Sequence, residues 1–124
     1  MSQTALILFA HGARDPEWAR PVEAVAALLR ERFSGRTVRV AFLEFLTPSL
    51  TDLVSQIVSE SSTSTSIDIL PFFIAQGGHL RKELPEMLSD LALRYPECKF
   101  RLLPPLGELA EVQSAMASAI ASLI

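Results

Sequence analysis

The 124-residue chain has two histidines, and each sits beside glycine at the end of an apolar run. His11 follows Leu6-Ile7-Leu8-Phe9-Ala10 and precedes Gly12. His79 follows Ile69-Leu70-Pro71-Phe72-Phe73-Ile74 and the turn Ala75-Gln76-Gly77-Gly78. A carboxylate, Glu44, follows the strand-like segment over residues 37–43. Two neutral imidazoles and a carboxylate suit a borderline divalent metal such as Fe, Co, Ni or Zn. The same groups suit proton abstraction, because imidazole titrates near neutral pH. Gly12, Gly77 and Gly78 let the backbone approach a large flat ligand or take positive φ. Arg14, Arg81 and Lys82 follow the two histidine turns. Their charge suits ligand carboxylates, which arginine holds with two parallel hydrogen bonds.

The elements between these residues must bring them together. Residues 5–10 are apolar at every position, the pattern of a strand buried on both faces of a parallel sheet. Asp15-Pro16-Glu17 then reads as a helix start: a capping side chain, a proline at the first helical position and an acid opposing the dipole. Trp18, Val22, Val25, Leu29 and Phe33 recur at steps of three and four, which predicts one core-facing stripe that includes Trp18. Ser34-Gly35 ends that helix. Residues 37–43 begin with alternation, as a strand nearer an edge does. Thr47-Pro48 repeats the cap-then-proline signal ahead of Leu50, Leu53, Val54, Ile57 and Val58. The serine/threonine tract over 59–66 predicts a surface loop.

Residues 67–74 read as a third strand, and Pro85 marks the start of a third helix that buries Met87, Leu88, Leu91 and Tyr95. Residues 98–103 are a fourth strand, followed by the rigid turn Pro104-Pro105-Leu106-Gly107. The last helix is expected to pack through Leu109, Val112, Met116, Ile120 and Leu123. The pattern is βαβαβαβα over a single domain, residues 1–124. It predicts an α/β, flavodoxin-like fold: a four-stranded parallel sheet with helices on both faces. In the order 2-1-3-4, His11, Glu44 and His79 leave three adjacent strands at the switch point, where open α/β sheets bind ligands.

The bulk properties exclude several classes. A net charge of −3 argues against general nucleic-acid binding, which needs a basic surface. Cys98 is the single cysteine, so neither an intrachain disulfide nor a cysteine zinc site is expected. The first residues lack a basic leader, and the apolar run after them is shorter than the ~20 residues a span requires. A soluble, cytoplasmic protein without membrane contact is expected. There is no GxGxxG or P-loop motif for nucleotide phosphates. The Asp pair of a phospho-acceptor receiver is missing from the end of the first strand. Histidine phosphatases place Arg-His-Gly after their first strand, whereas Ala10 precedes His11 here.

The segments LILFAHGARDPE, VAFLEFLTPSL, LPFFIAQGGHLRKELP and LLPPLG resemble the class II tetrapyrrole chelatases, and among them the short sirohydrochlorin chelatases of the CbiX type. The resemblance covers nearly the whole chain, with the motifs in family order and spacing. It implies insertion of Co²⁺, Fe²⁺ or Ni²⁺, as substrate, into sirohydrochlorin, an octacarboxylate tetrapyrrole. It implies no permanent cofactor. The family's metal-handling histidines correspond to His11 and His79, and its FLE segment to Phe42-Leu43-Glu44. Short members are expected to act as homodimers with the macrocycle between subunits. One departure is visible: many relatives carry histidine after the final LG turn, where this chain has Glu108-Leu109. A non-catalytic metal or tetrapyrrole carrier is the alternative from another class.

Overall fold

The computed structural model describes residues 3–61 and 64–124. Four strands, β1 (Gln3–Ala10), β2 (Thr37–Phe42), β3 (Thr65–Pro71) and β4 (Cys98–Leu102), form one sheet. All pairings are parallel, as the sequence predicts, and the order is β2-β1-β3-β4, the one under which His11, Glu44 and His79 leave adjacent strands. Four helices accompany them: α1 (Arg20–Arg32), α2 (Leu50–Glu60), α3 (Gly78–Arg94) and α4 (Ala110–Ala121). This is the expected α/β architecture, with β2 at an edge.

β1 is central, and its apolar residues 5–10 are buried because both its faces are covered. Leu6, Leu8 and Ala10 join Val38, Val40 and Phe42 of β2 under Val22 and Ala26 of α1. Ala5, Ile7 and Phe9 point the other way, into a core shared with α2 and α3. Ile7, Leu8 and Phe9 are fully buried. Each such side chain contributes about 1.5–3 kcal/mol relative to exposure. Asp68 of β3 ties the other edge, accepting from Arg101 Nε at 3.0 Å and Nη2 at 2.8 Å, and from Arg36 at 3.3 Å.

Several boundaries differ from the sequence reading, each for a local reason. β1 starts at Gln3 and β3 at Thr65, because Gln3 and Thr4 pair with Thr65 and Ser66. β3 stops at Pro71, which has no N–H to donate; Phe72 N still donates to Phe9 O at 2.7 Å, and Phe73 and Ile74 lie beyond the strand. β4 likewise stops one residue short of the expected end, at Leu102. The expected polar loop at 59–66 shrinks between α2 and β3, and Ser62 and Thr63 of that tract lie outside the described residues. The cap of α2 is Ser49, whose hydroxyl accepts from Asp52 N at 3.2 Å, not Thr47.

Two differences bear on function. α3 starts at Gly78, so Pro85 lies inside the helix and His79 belongs to its first turn. Asp15 caps as predicted, accepting from Glu17 N at 3.0 Å, but the turn it starts, Pro16–Ala19, is 3-10. That winding breaks the 3.6-residue spacing, and Trp18 is 72% exposed instead of in the core. The expected packing face of α4 is also open: the helix has no buried residue, and Ile120 is 59% exposed.

Candidate functional site

The β1–β2 ladder continues past both strands and builds the rim on which His11 stands. Leu43 N donates to Ala10 O at 2.8 Å, and Glu44 N donates to His11 O at 3.0 Å. The two loops are thus zipped together at the carboxyl edge of the sheet. Gly12 has φ +83°, and a Cβ there would meet the Glu44 carbonyl oxygen at 2.0 Å. Its role within the chain is therefore structural: it allows the β1 loop to lie against the β2 loop. Phe45 also takes positive φ, +67°, and the Arg14 guanidinium lies 5.2 Å from its ring centroid. Arg14 and Glu44 are both exposed on this rim.

The His11 imidazole is exposed on one side and packs on Phe73 on the other, with ring centroids 4.3 Å apart at 42°. Phe73 is itself buried and reaches the core through Phe9. An aromatic contact of this kind contributes about 0.5–1.5 kcal/mol and restrains the ring. His11 also lines a cleft of about 670 Å³, together with Gly12, Trp18, Val22 and the segment 72–75. Gly107 holds one side of that segment. Its N–H donates to Phe73 O at 2.8 Å, and a Cβ would meet Ile74 O at 1.9 Å. The Pro-Pro-Leu-Gly turn was the only sequence signal of this role.

His79 is held differently. Its side chain is 87% exposed, and its Nε2 lies 2.9 Å from Glu83 Oε1. Glu83 went unnoticed in the sequence because the helix was expected to start at Pro85. With α3 starting at Gly78, His79 and Glu83 stand one turn apart on one face. The pair sets a carboxylate beside the His79 ring, and carboxylates in that position orient ligating imidazoles. Arg81 lies on the same turn, its Nη2 3.9 Å from Glu108 Oε1, while Lys82 is exposed. Gly77 is the N-cap of α3, and around both Gly77 and Gly78 the space for a Cβ is open.

The sequence-predicted residues thus share one end of the sheet without closing on one another. Among the described residues, no group of three or more His, Cys, Asp or Glu side chains is placed to hold a metal ion. Neither Glu44 nor His79 lines the His11 cleft. What the arrangement offers is two separate, solvent-open imidazoles, one backed by an aromatic ring and one by a carboxylate.

The CbiX family model matches residues 5–123. The sirohydrochlorin cobaltochelatase of Methanopyrus kandleri is 33% identical over 85 residues, covering 68% of this chain and 58% of that protein. The sirohydrochlorin cobaltochelatase of Saccharolobus solfataricus is 30% identical over 108 residues, covering 82% of this chain and 81% of that one. This chain therefore spans less than two thirds of the first of these relatives and most of the second. The crystal structure of a CbiX protein from Marinobacter aquaeolei superposes with a TM-score of 0.82 at 27% identity, covering 96% of this chain and 95% of that chain. The match of the family model along nearly the full sequence, together with the superposition, shows that this chain belongs to the CbiX family.

Proposed function

We propose that the protein is a sirohydrochlorin chelatase, a single-domain enzyme that inserts a divalent metal, Co²⁺, Fe²⁺ or Ni²⁺, into the tetrapyrrole. The observation that carries the reading is the exposed His11 imidazole, fixed on Phe73 at the mouth of a cleft of about 670 Å³. The family and the names of the relatives supply the substrate class.

Insertion replaces two inner N–H protons of the ring with the metal, so the site must strip water from the ion and accept two protons. The imidazoles of His11 and His79 displace water and present the ion to one ring face. The carboxylates of Glu44 and Glu83 relay the released protons to solvent. Arg14, Arg81 and Lys82 grip ring carboxylates, with Gly12, Gly77 and Gly78 at the turns beside the ring. The reaction serves cobalamin, siroheme or related cofactor synthesis in the cytoplasm and needs no permanent cofactor, nucleic acid or membrane. Among the described residues, no helix is long and apolar enough to cross a membrane.

The test mixes protein, sirohydrochlorin and Co²⁺ or Fe²⁺ and follows the visible spectrum of the ring. A rate well above the protein-free control is expected. Equal rates with every metal would leave a carrier and remove the chelatase.

The active form is a homodimer with the macrocycle between subunits. Two features support this: one ligand wall per chain, and the open apolar side of α4, where Ile120 is 59% exposed, continued by Leu123 just past the helix at 84%. Light scattering is expected to give twice the 13.6 kDa chain mass. Ile120→Glu should weaken the dimer at least tenfold; a fully active wild-type monomer would count against the assembly.

A further inference from the structure

We propose that the Trp18 indole is a stacking platform for the tetrapyrrole face, holding the ring against the cleft beside His11; the inference rests on the chelatase reading above.

Tryptophan is the largest apolar side chain and buries about 150–250 Å² when packed. Here the chain's one tryptophan is 72% exposed. The exposure is built into the backbone. Asp15 caps the 3-10 turn from both its groups, the side chain accepting from Glu17 N at 3.0 Å and the carbonyl from Trp18 N at 3.1 Å. Pro16 stiffens the same turn. The indole is thus carried on a fixed support, lining the cleft that His11 also lines. Ile74, 76% exposed, borders the cleft from the segment after β3. Two large apolar groups left to water around one cleft mark a surface that gains from being covered.

The chemistry of the occupant follows from what surrounds it. The cleft volume lies within the ~300–1,000 Å³ of small-ligand sites. An indole adds most for a flat conjugated partner, through offset stacking at about 4.5–7 Å between ring centres. His11 in the same cleft suits a ligand that meets a metal ion at its face. A conjugated macrocycle combines these requirements, and an aliphatic chain meets only the first. Stacking there restrains the ring's tilt relative to the His11 imidazole, which is a positioning effect.

The experiment compares Trp18→Phe, Trp18→Leu and Trp18→Ala in the full-length protein. Metal-free sirohydrochlorin is titrated by its visible spectrum, and insertion rates are measured against ring and metal concentration. The Ala and Leu variants are expected to raise Kd and KM for the ring about tenfold, in line with the ~1–3 kcal/mol of base–aromatic stacks. The Phe variant should stay within about threefold. The loss falls on KM for the ring rather than KM for the metal, and thermal midpoints match wild type because the side chain is exposed. Unchanged ring affinity in Trp18→Ala would overturn the inference while leaving the chelatase reading in place. Leu performing as well as Phe would also overturn it, since any apolar group would then serve. Wild-type protein that binds the ring with this aromatic preference but inserts no metal removes the chelatase reading alone. Wild-type protein that does not bind the ring removes both.

Discussion

His11→Ala is expected to slow metal insertion into sirohydrochlorin at least tenfold with the fold intact. The imidazole is exposed, and its main packing partner is Phe73 at 4.3 Å. Losing that contact costs about 1 kcal/mol, too little to unfold a domain with ~5–15 kcal/mol of stability. The backbone bond from Glu44 N to His11 O at 3.0 Å does not depend on the side chain, so the rim survives. What disappears is the lone pair proposed above to replace metal-bound water at the cleft. His79→Ala should lose at least tenfold as well. Glu83→Gln should lose less, because the isosteric amide keeps the neighbour of His79 in place and removes only its charge. Initial rates from the visible spectrum, with circular dichroism as the fold control, decide the matter. Rates near wild type in both histidine variants would move the metal chemistry to other residues.

The difference between the two imidazoles also explains how far the sequence could be read. The parallel α/β pattern and His11's position at a strand end follow from an uninterrupted apolar run and alternating elements, signals that depend on burial alone, whereas the strand order is set by long-range pairing. The surroundings of His79 did not. Pro85 predicts a helix start, since proline favours the first turn, yet tertiary packing of Leu80, Leu84, Leu88 and Leu91 extends α3 back to Gly78. That extension alone creates the His79–Glu83 pair. Trp18 failed for the opposite reason: its spacing fits a helical stripe, but a 3-10 turn turns it away from the core. Both errors sit next to the candidate site, where local propensity and final geometry most often part. The open side of α4 was unreadable in kind, because a helix stripe looks the same whether its own chain or a second copy covers it.

Gly12→Ala is expected to destabilise the protein by about 3 kcal/mol, the larger part from contact rather than from backbone preference. At φ +83° an L side chain is strained, by roughly 1–2 kcal/mol. The new Cβ would also lie 2.0 Å from Glu44 O and 3.2 Å from its carbonyl carbon. A backbone oxygen cannot rotate aside as a flexible side chain does, so the β1 and β2 loops must separate, with ~1–3 kcal/mol of overpacking. For a domain of this size the thermal midpoint should fall by roughly 10 °C. Gly35→Ala is the control: a Cβ there meets nothing within 4 Å and the φ is ordinary, so its midpoint should hardly move. Separating the loops strains the bond between Glu44 N and His11 O, so insertion in the folded fraction of Gly12→Ala should fall along with stability. A Gly12→Ala midpoint equal to that of Gly35→Ala would show that the rim yields easily. The stiffness that positions the His11 imidazole would then have to come from Phe73 alone.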